Sequence, residues 1–113
     1  LFTSVELAGF SIPSIISPRA YISNYSSIEK GTIVMHDAVI NANSSVGKNC
    51  IINSKSLIEH DVKVEDHCHI STGAIINGGA SIGRESFIGS GSVIREGLEL
   101  NSNSFIKAGS VGK

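Results

Sequence analysis

The sequence predicts an all-β domain, a parallel β-helix wound from six-residue repeats, and three observations predict it. From Ile16 onward every sixth residue is Ile, Val or Leu, sixteen in succession as far as Ile106. Two positions before each runs a second, almost entirely small column, from Ser14, Ala20, Ser26 and Thr32 to Ser104, with Leu98 as its exception. Three positions after the aliphatic, Gly or Asn recurs at Gly31, Asn43, Asn49, Gly73, Gly79, Gly91, Gly97, Asn103 and Gly109, where a corner would demand positive φ. A period of six fits neither the 3.6 of a helix nor the alternation of a hairpin. It fits a coil in which each repeat is one short strand and one corner.

Taken in order, residues 1–13 precede the repeat and are expected to form a lead-in strand or cap closed by Pro13. Residues 14–113 form the coil, and because the six-residue phase never slips, no loop is inserted. With three repeats to a turn, Cys50 and Cys68 stack on successive coils in the small column. Strand spacing would permit a disulfide there, but a cytosolic setting favours two buried free thiols. Two cysteines without a CxxC pair do not make a zinc site. The 113 residues suffice for one domain, and a net charge of −1 gives no footprint for nucleic acid or an anionic membrane. No apolar stretch is long enough to span a bilayer, and Leu1 does not open a signal peptide, so a cytoplasmic protein is expected. Leu1 in place of Met, and a final repeat that breaks off at Gly112 and Lys113, suggest a domain of a longer chain.

The residue just before each aliphatic points outward and sorts three faces. One carries Ile15, Ile33, Ile51, His69, Phe87 and Phe105; the next carries Tyr21, Val39, Leu57, Ile75 and Val93; the third carries Ser27, Ser45, Lys63, Ser81 and Glu99. Two faces are apolar and one is polar. Two different apolar faces on one prism call for a heterologous contact that closes as a ring, most simply a homotrimer. A further domain covering one face is the alternative.

Of the four histidines, His60 stands out, because the run Glu59-His60-Asp61 sets an imidazole between two carboxylates at a corner. A carboxylate bonded to one ring nitrogen fixes the tautomer and raises basicity at the other, which is how a general base is prepared. His69, nine residues on, is half a coil away, so the two point apart in one subunit and would converge only across an interface. His67 and His69 superficially offer the close histidine pair of the gamma carbonic anhydrases, which bind zinc. But His67 is at a corner and His69 on a face, and neither shares a column with His36 or His60, so no metal site is expected.

The stretch from Ile12 to Lys113 resembles the C-terminal domain of the hexapeptide-repeat bacterial sugar acetyltransferases, which include sialic acid O-acetyltransferases and UDP-4-amino-sugar N-acetyltransferases. The matching signature is Cys50-Ile51-Ile52-Asn53, then Ile58-Glu59-His60-Asp61, His69, Gly78-Gly79, Ile82-Gly83 and Ile88-Gly89. The resemblance implies a left-handed β-helix, a homotrimer, and acetyl-CoA as cosubstrate between neighbouring coils. It implies His60 as general base with Asp61 as its acidic partner, and Gly78 as the residue whose N–H holds the thioester oxygen. It also implies His69 as an acetyl-CoA contact from the adjacent subunit, with Ser90 and Ala108 lining the cosubstrate further along. The acceptor it implies is an amino or hydroxyl group of a bacterial surface-glycan sugar, nucleotide-linked for an amino sugar. Two departures stand out: the N-terminal βαβ domain that grips the nucleotide-sugar is missing, and the family's frequent His-Pro reads Ser17-Pro18. The rival reading is a non-catalytic β-helix serving as an oligomerisation or scaffold module.

Overall fold

Side chains of alternating direction on two-residue strands build a triangular prism. A computed structural model describes residues 12–112, so the expected lead-in lies outside the described residues except for Ile12 and Pro13. Strands recur every six residues from Ile15–Ile16 to Val111–Gly112, and the described residues contain no helix. In each strand the first residue faces out and the second, the repeat aliphatic, faces in, as the two-residue period of a strand requires. Every strand pairs in parallel with the strand eighteen residues away, for example Ile51 with His69 and Ile52 with Ile70. The result is a left-handed parallel β-helix with three flat sheets.

The first sheet carries Ile15–Ile16, Ile33–Val34, Ile51–Ile52, His69–Ile70, Phe87–Ile88 and Phe105–Ile106; the second runs from Tyr21–Ile22 to Val111–Gly112; the third from Ser27–Ile28 to Glu99–Leu100. These are the three faces expected from the sequence. The core lies along the axis. Ile40, Ile52, Ile58, Ile70, Ile76, Ile82, Ile88 and Ile94 are completely buried. At the ends the same column opens: Ile16 is 43% exposed, because no coil is described beneath it. Leu98, the large residue in the small column, sits half-buried near the other end against Leu100 and Ile106, where space remains for it.

The small column is small because it lies where the coil turns inward and packs against the coils above and below. Its hydroxyls return hydrogen bonds to the backbone, as from Thr32 Oγ1 to the Gly47 carbonyl at 2.7 Å and from Ser56 Oγ to the Asn53 carbonyl at 2.7 Å. No buried side-chain polar atom among the described residues lacks a partner. Cys50 and Cys68 are buried free thiols, each donating to a carbonyl of the next coil, Glu65 and Gly83 respectively, at 3.1 Å.

All nine Gly and Asn corners have positive φ, between 53° for Asn49 and 75° for Gly31. So do Asp37, Lys55, Asp61, His67 and Glu85, which share the column but gave no sign of it in their residue types. At this column the N–H reaches back to the coil before, as from Gly79 to the His60 carbonyl and from Asp61 to the Ala42 carbonyl, both at 3.0 Å. The left-handed backbone is thus a property of the corner rather than of any one side chain.

Candidate functional site

The corner between the second and third sheets stacks two vertical rows of side chains. Residues eighteen apart sit one above another, so Glu59, Asn77 and Arg95 form one row and His60, Gly78 and Glu96 the next. Together with Val93 and Val111 from the outer face of the second sheet, they line an open groove of about 560 Å³.

His60 stands exposed at this corner with its Nδ1 2.9 Å from Asp61 Oδ2. An ionised Asp61 accepts, so Nδ1 carries the proton and the Nε2 lone pair is left free. That hydrogen bond is the main reason the imidazole's pKa lies above the ordinary histidine value; the nearby charges of Asp61, Glu59 and Glu96 act the same way, against a small opposing effect of desolvation. Of the two flanking carboxylates only Asp61 holds the ring. Glu59 is turned aside and accepts from Asn41 Nδ2 at 2.8 Å.

Gly78 sits directly beside the imidazole. A Cβ added there would come within 2.7 Å of both Cε1 and Nε2 of His60, so only glycine leaves the free nitrogen open to the groove. The Gly78 carbonyl accepts from Gly97 N–H at 3.0 Å, while its own N–H has no partner among the described residues. A base nitrogen and a spare backbone donor therefore share one small opening.

The other expected site residues lie elsewhere in the protomer. His69 is half-buried on the first sheet, its ring edge-on to Phe87 with centroids 5.1 Å apart, and Phe87 in turn stacks on Phe105 at 5.3 Å. Burial pushes the His69 pKa below the ordinary value. Ser90 and Ala108 are exposed and stacked at the corner between the first and second sheets, with Ser90 O accepting from Gly109 N–H at 2.8 Å. Gly89 beneath them is fixed by close approach, since a Cβ would meet Ala108 N at 2.4 Å. His60, Asp61 and Gly78 are brought together; His69 and the Ser90–Ala108 pair are on other faces of the prism. His36 bonds Ser17 Oγ at 2.6 Å and His67 bonds Asn49 Nδ2 at 2.9 Å. Among the described residues no three His, Cys, Asp or Glu side chains form a metal-holding group.

Asn77, Arg95 and Glu96 were not singled out from the sequence. The signal was there: Arg95 and Glu96 are Glu59 and His60 advanced by two coils.

Residues 43–78 match the family described as bacterial transferase hexapeptide (six repeats), and residues 79–111 match the hexapeptide repeat of succinyl-transferase. No curated protein matches the chain by sequence. Among solved structures, the chain is similar to the acetyltransferase domain of PglB from Neisseria gonorrhoeae, with 34% identity and a TM-score of 0.96 over 97% of this chain and 54% of that one. The same domain in complex with acetyl coenzyme A gives 31% identity and a TM-score of 0.94 over 99% of this chain and 57% of that one. PerB from Caulobacter crescentus, in complex with CoA and GDP-perosamine, gives 30% identity and a TM-score of 0.94 over 96% of this chain and 52% of that one. The chain thus spans about half the length of these relatives.

Proposed function

From the chain's membership of the hexapeptide-repeat bacterial transferases, with sugar acetyltransferase domains as its structural kin, we propose that it is an acetyl-CoA-dependent acetyltransferase domain. It acts on an amino or hydroxyl group of a sugar and works as a cytoplasmic homotrimer. The observation that carries this reading is the His60–Asp61 pair, with its free Nε2 held over Gly78 in an open groove.

In this reading the acceptor nitrogen or oxygen attacks the thioester carbonyl while its proton passes to His60 Nε2. Asp61 stabilises the imidazolium that forms. The carbonyl oxygen, now negative, takes a hydrogen bond from the Gly78 N–H. The carbon–sulfur bond then breaks, the CoA thiolate takes the proton from His60, and the ring returns to its starting state. No covalent enzyme intermediate is required, and Cys50 and Cys68 are buried away from the groove. His69, Ser90 and Ala108 belong to the acetyl-CoA path in this scheme. Because they lie on other faces, the path is completed by a neighbouring subunit, and the apolar first and second faces supply the contact.

The test is thermal protection together with transfer. Acetyl-CoA should raise the Tm of the chain, and thiol release should follow on adding an amino sugar. A scaffold module predicts neither, and a Tm unmoved by millimolar acetyl-CoA would overturn the transferase reading. Light scattering with CoA present should give three times the chain mass; a monomer would remove the shared site.

A further inference from the structure

We propose that Arg95 is the anion-holding residue of the acceptor site, so that the groove selects sugars carrying a phosphate close to the ring. This rests on the acetyltransferase reading and says which acceptors that site takes.

Every other charged side chain lining the groove or bonded to His60 is negative: Glu59, Asp61 and Glu96. Arg95 lines the same groove but makes no hydrogen bond or ion pair with any described residue, whereas the Arg19 guanidinium is tied to Asp37. The neighbours in its own row are already engaged, Glu59 with Asn41 and Asn77 with the Ile94 carbonyl at 3.0 Å. An unpaired guanidinium facing open space is a planar fork suited to phosphate oxygens.

Its position supplies a length. Arg95 stands two coils beyond Glu59, a rise of roughly 10 Å at the usual strand spacing. That span suits one sugar ring with a phosphate on its anomeric oxygen and its reacting group at His60. The pantetheine arm of CoA is too long to place a phosphate that close to its own thioester. The groove therefore has two ends of opposite sign, carboxylates around the reacting group and a cation two coils on, with Val93 and Val111 offering an apolar wall between. A phosphate-linked amino sugar carries the matching charges.

Binding is read first, independently of turnover, by broadening of the phosphorus resonances of GDP-perosamine as the chain is titrated in. Arg95→Ala should weaken that binding by about 10- to 100-fold, the usual worth of a hydrogen bond to a charged group, and Arg95→Lys should restore part of it. In turnover the ratio of KM for GDP-perosamine to KM for free perosamine should rise by the same factor. The proposal is overturned if wild type does not broaden the signals, if Arg95→Ala binds as tightly as wild type, or if the loss falls on acetyl-CoA instead. Arg95-dependent binding without any acetyl transfer would sink the transferase reading and leave this one standing. Transfer with equal KM for both acceptors would do the reverse.

Discussion

The corner that holds His60 and the face that holds His69 treat the same side chain in opposite ways. At the corner the ring is exposed, and its hydrogen bond to Asp61 raises its pKa; on the face the ring is packed on Phe87, and desolvation lowers it. Corners of this coil expose side chains and let them collect partners, whereas faces bury side chains against those above and below. Proton chemistry therefore belongs at the corner, and shape and contact on the face.

The comparison is sharpest in the single alanine variants. His60→Ala should lower kcat by about 100- to 10,000-fold, the worth of a positioned general base, with acetyl-CoA affinity nearly unchanged. His69→Ala should act chiefly on the KM for acetyl-CoA. Steady-state kinetics of the two variants checks this, and near wild-type turnover in His60→Ala would require another base.

Gly78→Ala tests the corner without touching a titrating group. The added Cβ falls on the far end of an exposed side chain, so the coil should fold while the ring is pushed from its place. We expect a loss in kcat of about 10- to 100-fold with little change in Tm, below the loss for removing the base altogether. A variant as active as wild type would mean the ring position does not matter.

Mixing separates one subunit from two. If corner and face meet only across an interface, trimers reassembled from equal amounts of His60→Ala and His69→Ala chains should hold about a quarter of intact sites. Recovered activity supports the shared site, and continued inactivity in verified mixed trimers counts against it.

The smallest effect is in pH. The base must be neutral, so kcat/KM should rise with pH through a His60 pKa that lies above the ordinary value. Asp61→Asn removes the charge that favours the imidazolium, and the rising limb should move to lower pH. Proton NMR should find His60 titrating above His69; the reverse order would break the comparison itself.

The repeat made most of the fold legible. A strict six-residue phase specifies the strands, the three faces, the stacking of Cys50 on Cys68 and the row that sets Gly78 beside His60. What it left open depends on rotamers and local bonds. Glu59 and Asp61 flank His60 equally in sequence, yet Asn41 draws Glu59 away and Asp61 takes the ring. Positive φ was readable at Gly79 or Asn43 but not at Lys55 or Glu85, because the coil imposes it on whatever residue occupies the corner. The aliphatic column also reads alike from end to end, although Ile16 is half open and Ile52 sealed, since burial depends on having coils on both sides.

A chain that repeats every six residues and closes every eighteen works like a dial with three settings. Deleting six residues between Gly79 and Val93 would keep strands and corners intact but turn everything beyond by one face, carrying Arg95 and Glu96 away from His60. Removing eighteen would restore the face and only shorten the rod, bringing a different corner residue level with each partner. Length changes in this molecule are therefore rotations, and the two kinds of deletion separate the order of residues along the chain from the order of residues around the axis.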